Sequence, residues 1–421
     1  MSNANWYNVD NVSKVFLASY NKRDTRCIRV TCTLKEMIEP ELLQEALTQT
    51  VEAMPQYQVR IRRGFFWHYL DPTDAMPVVS EEDGRLYPLL YGPNHKGLLH
   101  YKVSYYRCRI TLEIFHVLCD GTGALEFLNA LVGHYLKLKY PAALTAYTPT
   151  SAAPLYERTR DDYAQFFDRE NTSHSVAPKK RRKAYRIQGR LLPYDQLQHF
   201  ELHMEAAKVV AAAKACGCSV TAYFTALFML AIQRDMPTAK RKRPVAISLP
   251  VNLRRFYGSE TSRNFFNNIS LTHTFDKPIS LPELAALMDK KLKELTSEEA
   301  VRFRMNEFVK IERPIYTRMT PLLIKQHVVR QFTAVEAKQV SAVISNLGLI
   351  RPDEAILPYV DYYSIGCSAP NLFSTICSFG SDLCMTISYP FVNTGVLKAF
   401  VDLLQRENIP VKLDATEVIT R

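Results

Sequence analysis

Residues 101–106 (YKVSYY) and 108–115 (CRITLEIF) read as two strands on either side of Arg107. His116 stands at the end of the second run. After Gly121 and Gly123 the pattern turns helical: Leu125, Phe127, Leu128, Leu131, Val132 and Tyr135 are spaced for one buried face. A strand that feeds a helix through a short glycine-bearing turn calls for a sheet and a helical layer together. This half of the chain is therefore neither all-helical nor all-β.

The same mixture runs through the rest. In the first half, residues 26–34 alternate like a strand. Residues 39–54 have helical spacing, with Pro40 in the first turn and Pro55 as the stop. Residues 58–62 and 65–70 look like strands, and the cluster Phe65-Phe66-Trp67-His68 is expected to pack in the core and on a strand face. In the second half, strands are expected near 198–204, 245–249, 268–275, 340–345, 360–365 and 383–389. Helices are expected at 205–215, 219–235, 281–295, within 298–330, and at 394–405. Between the halves, residues 141–187 carry Pro141, Pro149, Pro154, Pro178 and many Ser and Thr, which marks a connection. The fold class is α/β (α+β), in two lobes: 1–187 with the connecting segment, and 188–421. No tandem repeat is present.

The chain has 421 residues, enough for two or three domains. Apolar residues are 47% and charged residues 23%, ordinary globular values that exclude wholesale disorder, a collagen-like repeat and a membrane bundle. The nine cysteines are odd in number and show no framework spacing, which fits reduced thiols in a cytoplasmic enzyme. Cys216 and Cys218 form Cys-x-Cys, not a redox Cys-x-x-Cys, and no His/Cys pattern suggests zinc or another metal.

The net charge is +11, partly in two runs, Lys179-Lys180-Arg181-Arg182-Lys183 and Lys240-Arg241-Lys242-Arg243. Solvated loops account for both, although the second could meet a ligand phosphate. No zinc finger or other nucleic-acid-binding pattern accompanies them, so no nucleic acid is expected as a partner. Residues 1–10 lack an apolar signal core, and the apolar stretch 221–232 is too short to span a bilayer, which needs about 20 residues. A soluble protein is expected, with peripheral membrane association left open.

The chemistry concentrates in Phe115-His116-Val117-Leu118-Cys119-Asp120-Gly121-Thr122-Gly123. A neutral imidazole at a strand end can accept a proton near pH 7, as a general base acting on a hydroxyl or amine. A packed histidine beside an Asp-Gly turn would read the same on spacing alone. Cys119 lies next to Asp120, and as a nucleophile it would need a base or a lowered pKa.

His116, Asp120 and Gly121 match the HxxxDG motif of the CoA-dependent acyltransferase superfamily, at its usual place before a helix. The superfamily includes chloramphenicol acetyltransferase, plant BAHD enzymes, alcohol acetyltransferases and condensation domains. Three further segments are similar to it: Pro250-Val251-Asn252-Leu253-Arg254-Arg255, Asn264-Phe265-Phe266-Asn267-Asn268, and Ile344-Ser345-Asn346-Leu347-Gly348. The run DGTGALEFL resembles the alcohol acetyltransferase and polyketide-associated branch. Two departures count against other branches. Phe115 stands where condensation domains carry a second His, and the region Cys377-Ser378-Phe379-Gly380-Ser381 keeps little of the BAHD DFGWG motif.

The resemblance implies two chloramphenicol acetyltransferase-like lobes with a tunnel between them, and direct acyl transfer without an enzyme-bound acyl group. His116 would be the general base. Asp120 would pair with Arg254, or failing that Arg255, to hold the loop. Gly121 would keep the tunnel floor open. Asn268 would stabilise the oxyanion, with Asn267 and Thr261 as substitutes. The implied donor is a coenzyme A thioester or an acyl-carrier protein, used as co-substrate with no permanently bound cofactor. The implied acceptor is a small alcohol or amine, and a monomer is expected. The rival readings are a free-standing condensation-like enzyme using carrier-bound acyl groups and a catalytically silent binding module.

Overall fold

The computed structural model describes residues 6–92, 95, 97, 99–149, 153–168, 183–194 and 196–415. Helix and strand are mixed throughout, around two main sheets. The first has five strands in the order Val360–Cys367, Cys27–Leu34, Arg109–Phe115, Tyr101–Tyr106 and Ser80–Glu81. Its central strands are antiparallel, with Val30 opposite Leu112 and Val103 opposite Leu112. Helices Pro40–Ala53 and Gly121–Lys139 pack together over it. Leu43, Leu47, Val51, Phe127, Leu131 and Tyr135 fill the layer between.

The second sheet has seven strands in the order Phe266–His273, Val245–Asn252, Ala342–Leu349, Phe373–Phe379, Asp382–Tyr389, Gln198–Glu205 and Lys412–Ala415. Helices Val220–Asp235, Leu281–Leu295 and Gly395–Arg406 pack side by side with it. The apolar stretch 221–232 lies inside the first of these, and most of its side chains are buried. No single helix among the described residues is long and apolar enough to cross a membrane. Ser280 and Glu283 close a capping box at the start of Leu281–Leu295, worth about 1 kcal/mol.

A cut at residue 187 does not separate the two bodies. Strand Val360–Cys367 comes from the second half but pairs antiparallel with Cys27–Leu34 in the first sheet. Without it, Cys27–Leu34 would be an open edge with a row of unpaired backbone groups. Leu253, Phe265, Val301, Met305 and Ile356 also sit in the core of the first lobe. The second half therefore reaches across twice, once by strand pairing and once by side-chain burial.

Several sequence expectations shift. Phe65 and Trp67 are 72% and 47% exposed, because residues 64–67 form a turn closed by the Gly64 N–H donating to the Trp67 carbonyl. Only from His68 does the chain enter a strand, His68–Pro72. The connection contains two short helices, Leu155–Thr159 and Asp162–Gln165. Of the basic run 179–183, the first four residues lie outside the described residues. Strands Phe373–Phe379 and Lys412–Ala415 were not anticipated.

Candidate active site

His116 follows the buried strand Arg109–Phe115 directly. Its backbone is fixed on both sides. The His116 N–H donates to the Arg26 carbonyl at 2.8 Å, and its carbonyl accepts from Asn264 Nδ2 at 2.8 Å. Asn264 Nδ2 also donates to Ser13 Oγ at 2.9 Å, which ties the strand end to the start of helix Asn11–Ser19.

The ring is oriented by one hydrogen bond. His116 Nδ1 lies 2.9 Å from the Cys119 carbonyl oxygen. A carbonyl can only accept, so Nδ1 carries the proton and Nε2 holds the lone pair. Nε2 has no hydrogen-bond partner among the described residues, and His116 remains partly exposed. Phe16 packs against the ring at 4.5 Å between centroids, and Phe266 at 5.9 Å. Phe16 belongs to the first lobe, whereas Phe266 opens the edge strand of the second sheet, so the imidazole sits where the two bodies meet. Burial pushes its pKa down to about 4, against the upward pull of Asp120. The ring is neutral at pH 7.

Asp120 performs a structural task. Its Oδ1 accepts from the N–H groups of Thr122 and Gly123 at 3.1 and 3.2 Å, capping helix Gly121–Lys139. Arg254 grips the same carboxylate in bidentate fashion, Nη1 to Oδ2 at 2.7 Å and Nη2 to Oδ1 at 3.0 Å. The Phe265 N–H adds a bond to Oδ2 at 3.2 Å. Arg254 spends its remaining donors on the carbonyls of Thr261 and Arg263 and on Asn252 Oδ1. Neither partner has hydrogen-bonding capacity left for a substrate.

The other expected residues divide. Arg255 is exposed and lies over the Phe256 ring, away from Asp120. Its side chain points outward because Arg254 alone turns into the core. Thr261 is buried, its hydroxyl donating to the Arg160 carbonyl at 2.8 Å, so it holds the connection and is no oxyanion donor. In strand Phe266–His273 the odd positions enter the second core. Asn267 therefore faces away from Phe266, buried, with Nδ2 unpartnered among the described residues. Asn268 shares the face of Phe266 and is exposed, with no partner for its amide among the described residues.

Gly121 and Gly123 differ in what surrounds them. A Cβ on Gly121 would come 3.1 Å from the Leu347 methyl, a yielding neighbour. A Cβ on Gly123 would come 2.1 Å from the Ser262 backbone oxygen, which cannot yield. Gly123 is thus the position that only glycine fits. Leu347 arrives over Gly121 through a bulge: Asn346 Oδ1 accepts from the Gly348 N–H at 2.8 Å, and the register shifts between them. Cys119 is buried and its thiol pKa is pushed well up by burial, so it stays protonated. The run 240–243 precedes the strand Val245–Asn252, whose other end, Asn252, approaches the site; eight residues of strand, about 26 Å, separate them. Asn264, Phe16 and Arg26 were missed as site residues. Asn264 opens the segment Asn264-Phe265-Phe266-Asn267-Asn268, and that motif is the one sequence signal that points to it.

No family model matches the sequence, and no curated protein does. Solved structures do match its fold over nearly the full length. The first condensation domain of the calcium-dependent antibiotic synthetase, in complex with a substrate analogue, aligns with a TM-score of 0.64 at 14% identity, covering 97% of this chain and 99% of that one. F. graminearum TRI101, complexed with coenzyme A and deoxynivalenol, gives 0.64 at 10% identity, covering 98% and 100%. TRI3 trichothecene 15-O-acetyltransferase from Fusarium sporotrichioides gives 0.62 at 12%, covering 95% and 94%. The chain has the two-lobed fold of condensation domains and CoA-dependent acyltransferases.

Proposed function

We propose that the protein is an acyltransferase that moves an acyl group from a thioester, coenzyme A or a carrier-protein arm, to an alcohol or amine. The observation that carries this reading is the His116 imidazole. Its proton is held on Nδ1 by the Cys119 carbonyl, and its basic Nε2 is unpartnered between aromatic rings of the two lobes. In the proposed reaction Nε2 takes the acceptor's proton as its oxygen or nitrogen attacks the thioester carbonyl. The new C–O or C–N bond forms, and the tetrahedral intermediate breaks its C–S bond. The departing thiolate recovers the proton from the imidazolium. Asn268, with its amide free on the face of Phe266, is our choice of donor to the oxyanion, a role worth about 2.7–4 kcal/mol of transition-state stabilisation. Of the relatives in fold, one is an O-acetyltransferase by name and another holds coenzyme A, which favours an O-acyltransferase using acyl-CoA.

Thiol release from acetyl-CoA and from an acylated carrier protein, followed with a thiol-reactive dye over a panel of alcohols and amines, tests the proposal. We expect acceptor-dependent release that falls by about 10²–10⁴-fold in His116→Ala. Turnover that persists in that variant would remove the general-base assignment. Release from the carrier protein alone would favour the condensation-like reading, and binding without release from either donor would favour a silent module.

A further inference from the structure

A cavity of about 430 Å³ shares a wall with the His116 site but has opposite chemistry. Leu17 and Tyr20 line it, while Phe16, one residue before Leu17, packs on the imidazole. Tyr20 also meets Phe115, the residue before His116, at 6.0 Å. Its lining includes four arginines, Arg60, Arg62, Arg63 and Arg330, and no aspartate or glutamate among the described residues. Arg62 is committed to Asp71 at 3.0 Å. The others pair with no carboxylate among the described residues. Among the described residues, Arg60 Nε is sealed from solvent without an acceptor, the Arg63 side chain makes no hydrogen bond or ion pair, and the Arg330 side chain uses only Nε, on the Ala18 carbonyl. Two phenols, Tyr20 and Tyr91, face the same space. Gly92, at φ +108°, lets Tyr20 in; a Cβ there would stand 2.9 Å from the phenol oxygen.

Guanidinium groups gathered without a counter-charge repel one another, and their planar forks match the oxygens of phosphate or sulfate. We propose that this cavity is a subsite for a phosphate or sulfate ester carried by one of the substrates. That the ester belongs to a substrate rests on the acyltransferase reading; the anion site itself does not. Both phosphate-bearing donors and anionic acceptors supply the same group, and inhibition kinetics tell them apart.

Inorganic sulfate, titrated calorimetrically into the whole protein, is the probe. We expect saturable binding that weakens about tenfold or more in Arg63→Ala and in Arg330→Ala, both exposed positions, and is unchanged in Arg241→Ala, outside the cavity. Absence of saturable binding, or equal affinity in all four proteins, overturns the subsite. In turnover assays, sulfate competing with the acceptor assigns the ester to the acceptor, and sulfate competing with acyl-CoA assigns it to the donor. Sulfate bound calorimetrically but competing with neither overturns the substrate role. Loss of the acyltransferase reading, seen with His116→Ala, leaves the calorimetric result standing, so the two failures are separable.

Discussion

Each lobe contains an interior strand that passes through a five-residue turn into a long helix, and the two can be compared. In the first lobe, strand Arg109–Phe115 passes through residues 116–120 into helix Gly121–Lys139. In the second, strand Asp382–Tyr389 passes through residues 390–394 into helix Gly395–Arg406. Both strands are interior to their sheets, and both helices return over apolar cores. The turns differ. The first carries His116 and ends on Asp120, which caps its helix and receives Arg254 from the far half of the chain. The second carries Pro390 and ends on Thr394, whose side chain caps nothing; Asn393 Oδ1 takes the Gly395 N–H instead. Its backbone is tied to the connection, with the Val392 N–H on the Arg190 carbonyl and the Leu192 N–H on the Pro390 carbonyl. The supersecondary unit alone therefore asks for no histidine and no ion pair. What the first turn adds is the imidazole and, four residues after it, the Asp120–Arg254 pair.

Breaking the ion pair has the largest expected effect on stability. Arg254→Gln leaves Asp120, 9% exposed, without its counter-charge, at a cost of about 3–5 kcal/mol. Urea unfolding should show this as a lower midpoint at unchanged slope, while Thr394→Ala at the second turn moves it by under about 0.5 kcal/mol. Comparable losses at both turns would mean that the pair is ordinary packing.

Glycine substitutions sharpen the contrast at smaller scale. Gly123→Ala drives a methyl into the Ser262 carbonyl oxygen, and about 1–3 kcal/mol of overpacking is expected. At the second junction, a Cβ on Gly395 would meet Asp235 Oδ1 at 2.2 Å, but that atom ends a half-buried, rotatable side chain. Gly395→Ala and Gly121→Ala should therefore cost under about 1 kcal/mol, read as thermal midpoints. If Gly121→Ala proved the most damaging of the three, Leu347 would be rigidly held and the motif's glycine would have its expected steric role.

Local periodicity made most of the fold legible. Helix 281–295 was bounded correctly because Leu281, Leu284, Leu287, Met288 and Leu292 repeat at helical spacing, and strand 101–106 ends where Arg107 turns at φ +51°. Strand Phe373–Phe379 escaped because Phe373, Ile376 and Phe379 fall three residues apart, with Ser, Thr and Cys between them, so no period of two shows. Lys412–Ala415 escaped because four exposed residues form no pattern; it exists by pairing with Gln198–Glu205. The exchange of strand 360–367 into the first sheet was invisible for a related reason: a strand's sequence carries its period, not its partner. At the site, His116, Asp120 and Arg254 could be named from motifs. The ring's tautomer, the clamp by Asn264 and the insertion of Phe16 depend on contacts across 100 residues or more, or on the path of a turn, and no spacing rule encodes them.

The smallest expected change is in pH dependence, and it too separates the two turns. Residues 390–394 contain no titratable side chain, so of the two turns only the first can give an imidazole signal. With its pKa pushed down to about 4, His116 stays neutral and basic down to roughly pH 5. The kcat/KM profile should be flat from pH 8 to about 5.5, where a base of ordinary pKa, about 6.5, would already have lost roughly tenfold. The same depression has a definite sign in stability. Between about 4 and 6.5 the unfolded chain binds a proton that folded His116 does not, so its stabilising effect is complete above the unfolded pKa and is lost as pH falls toward 4. Asp10, raised to about 6 by burial against the pull of Arg263, acts the other way and favours the fold at low pH. Measuring stability against pH in His116→Gln, which removes the imidazole alone, isolates the first contribution. An activity profile that bends near 6.5 would mean that water reaches the ring freely, and the closed contact of Phe16 and Phe266 around it would have to open in solution.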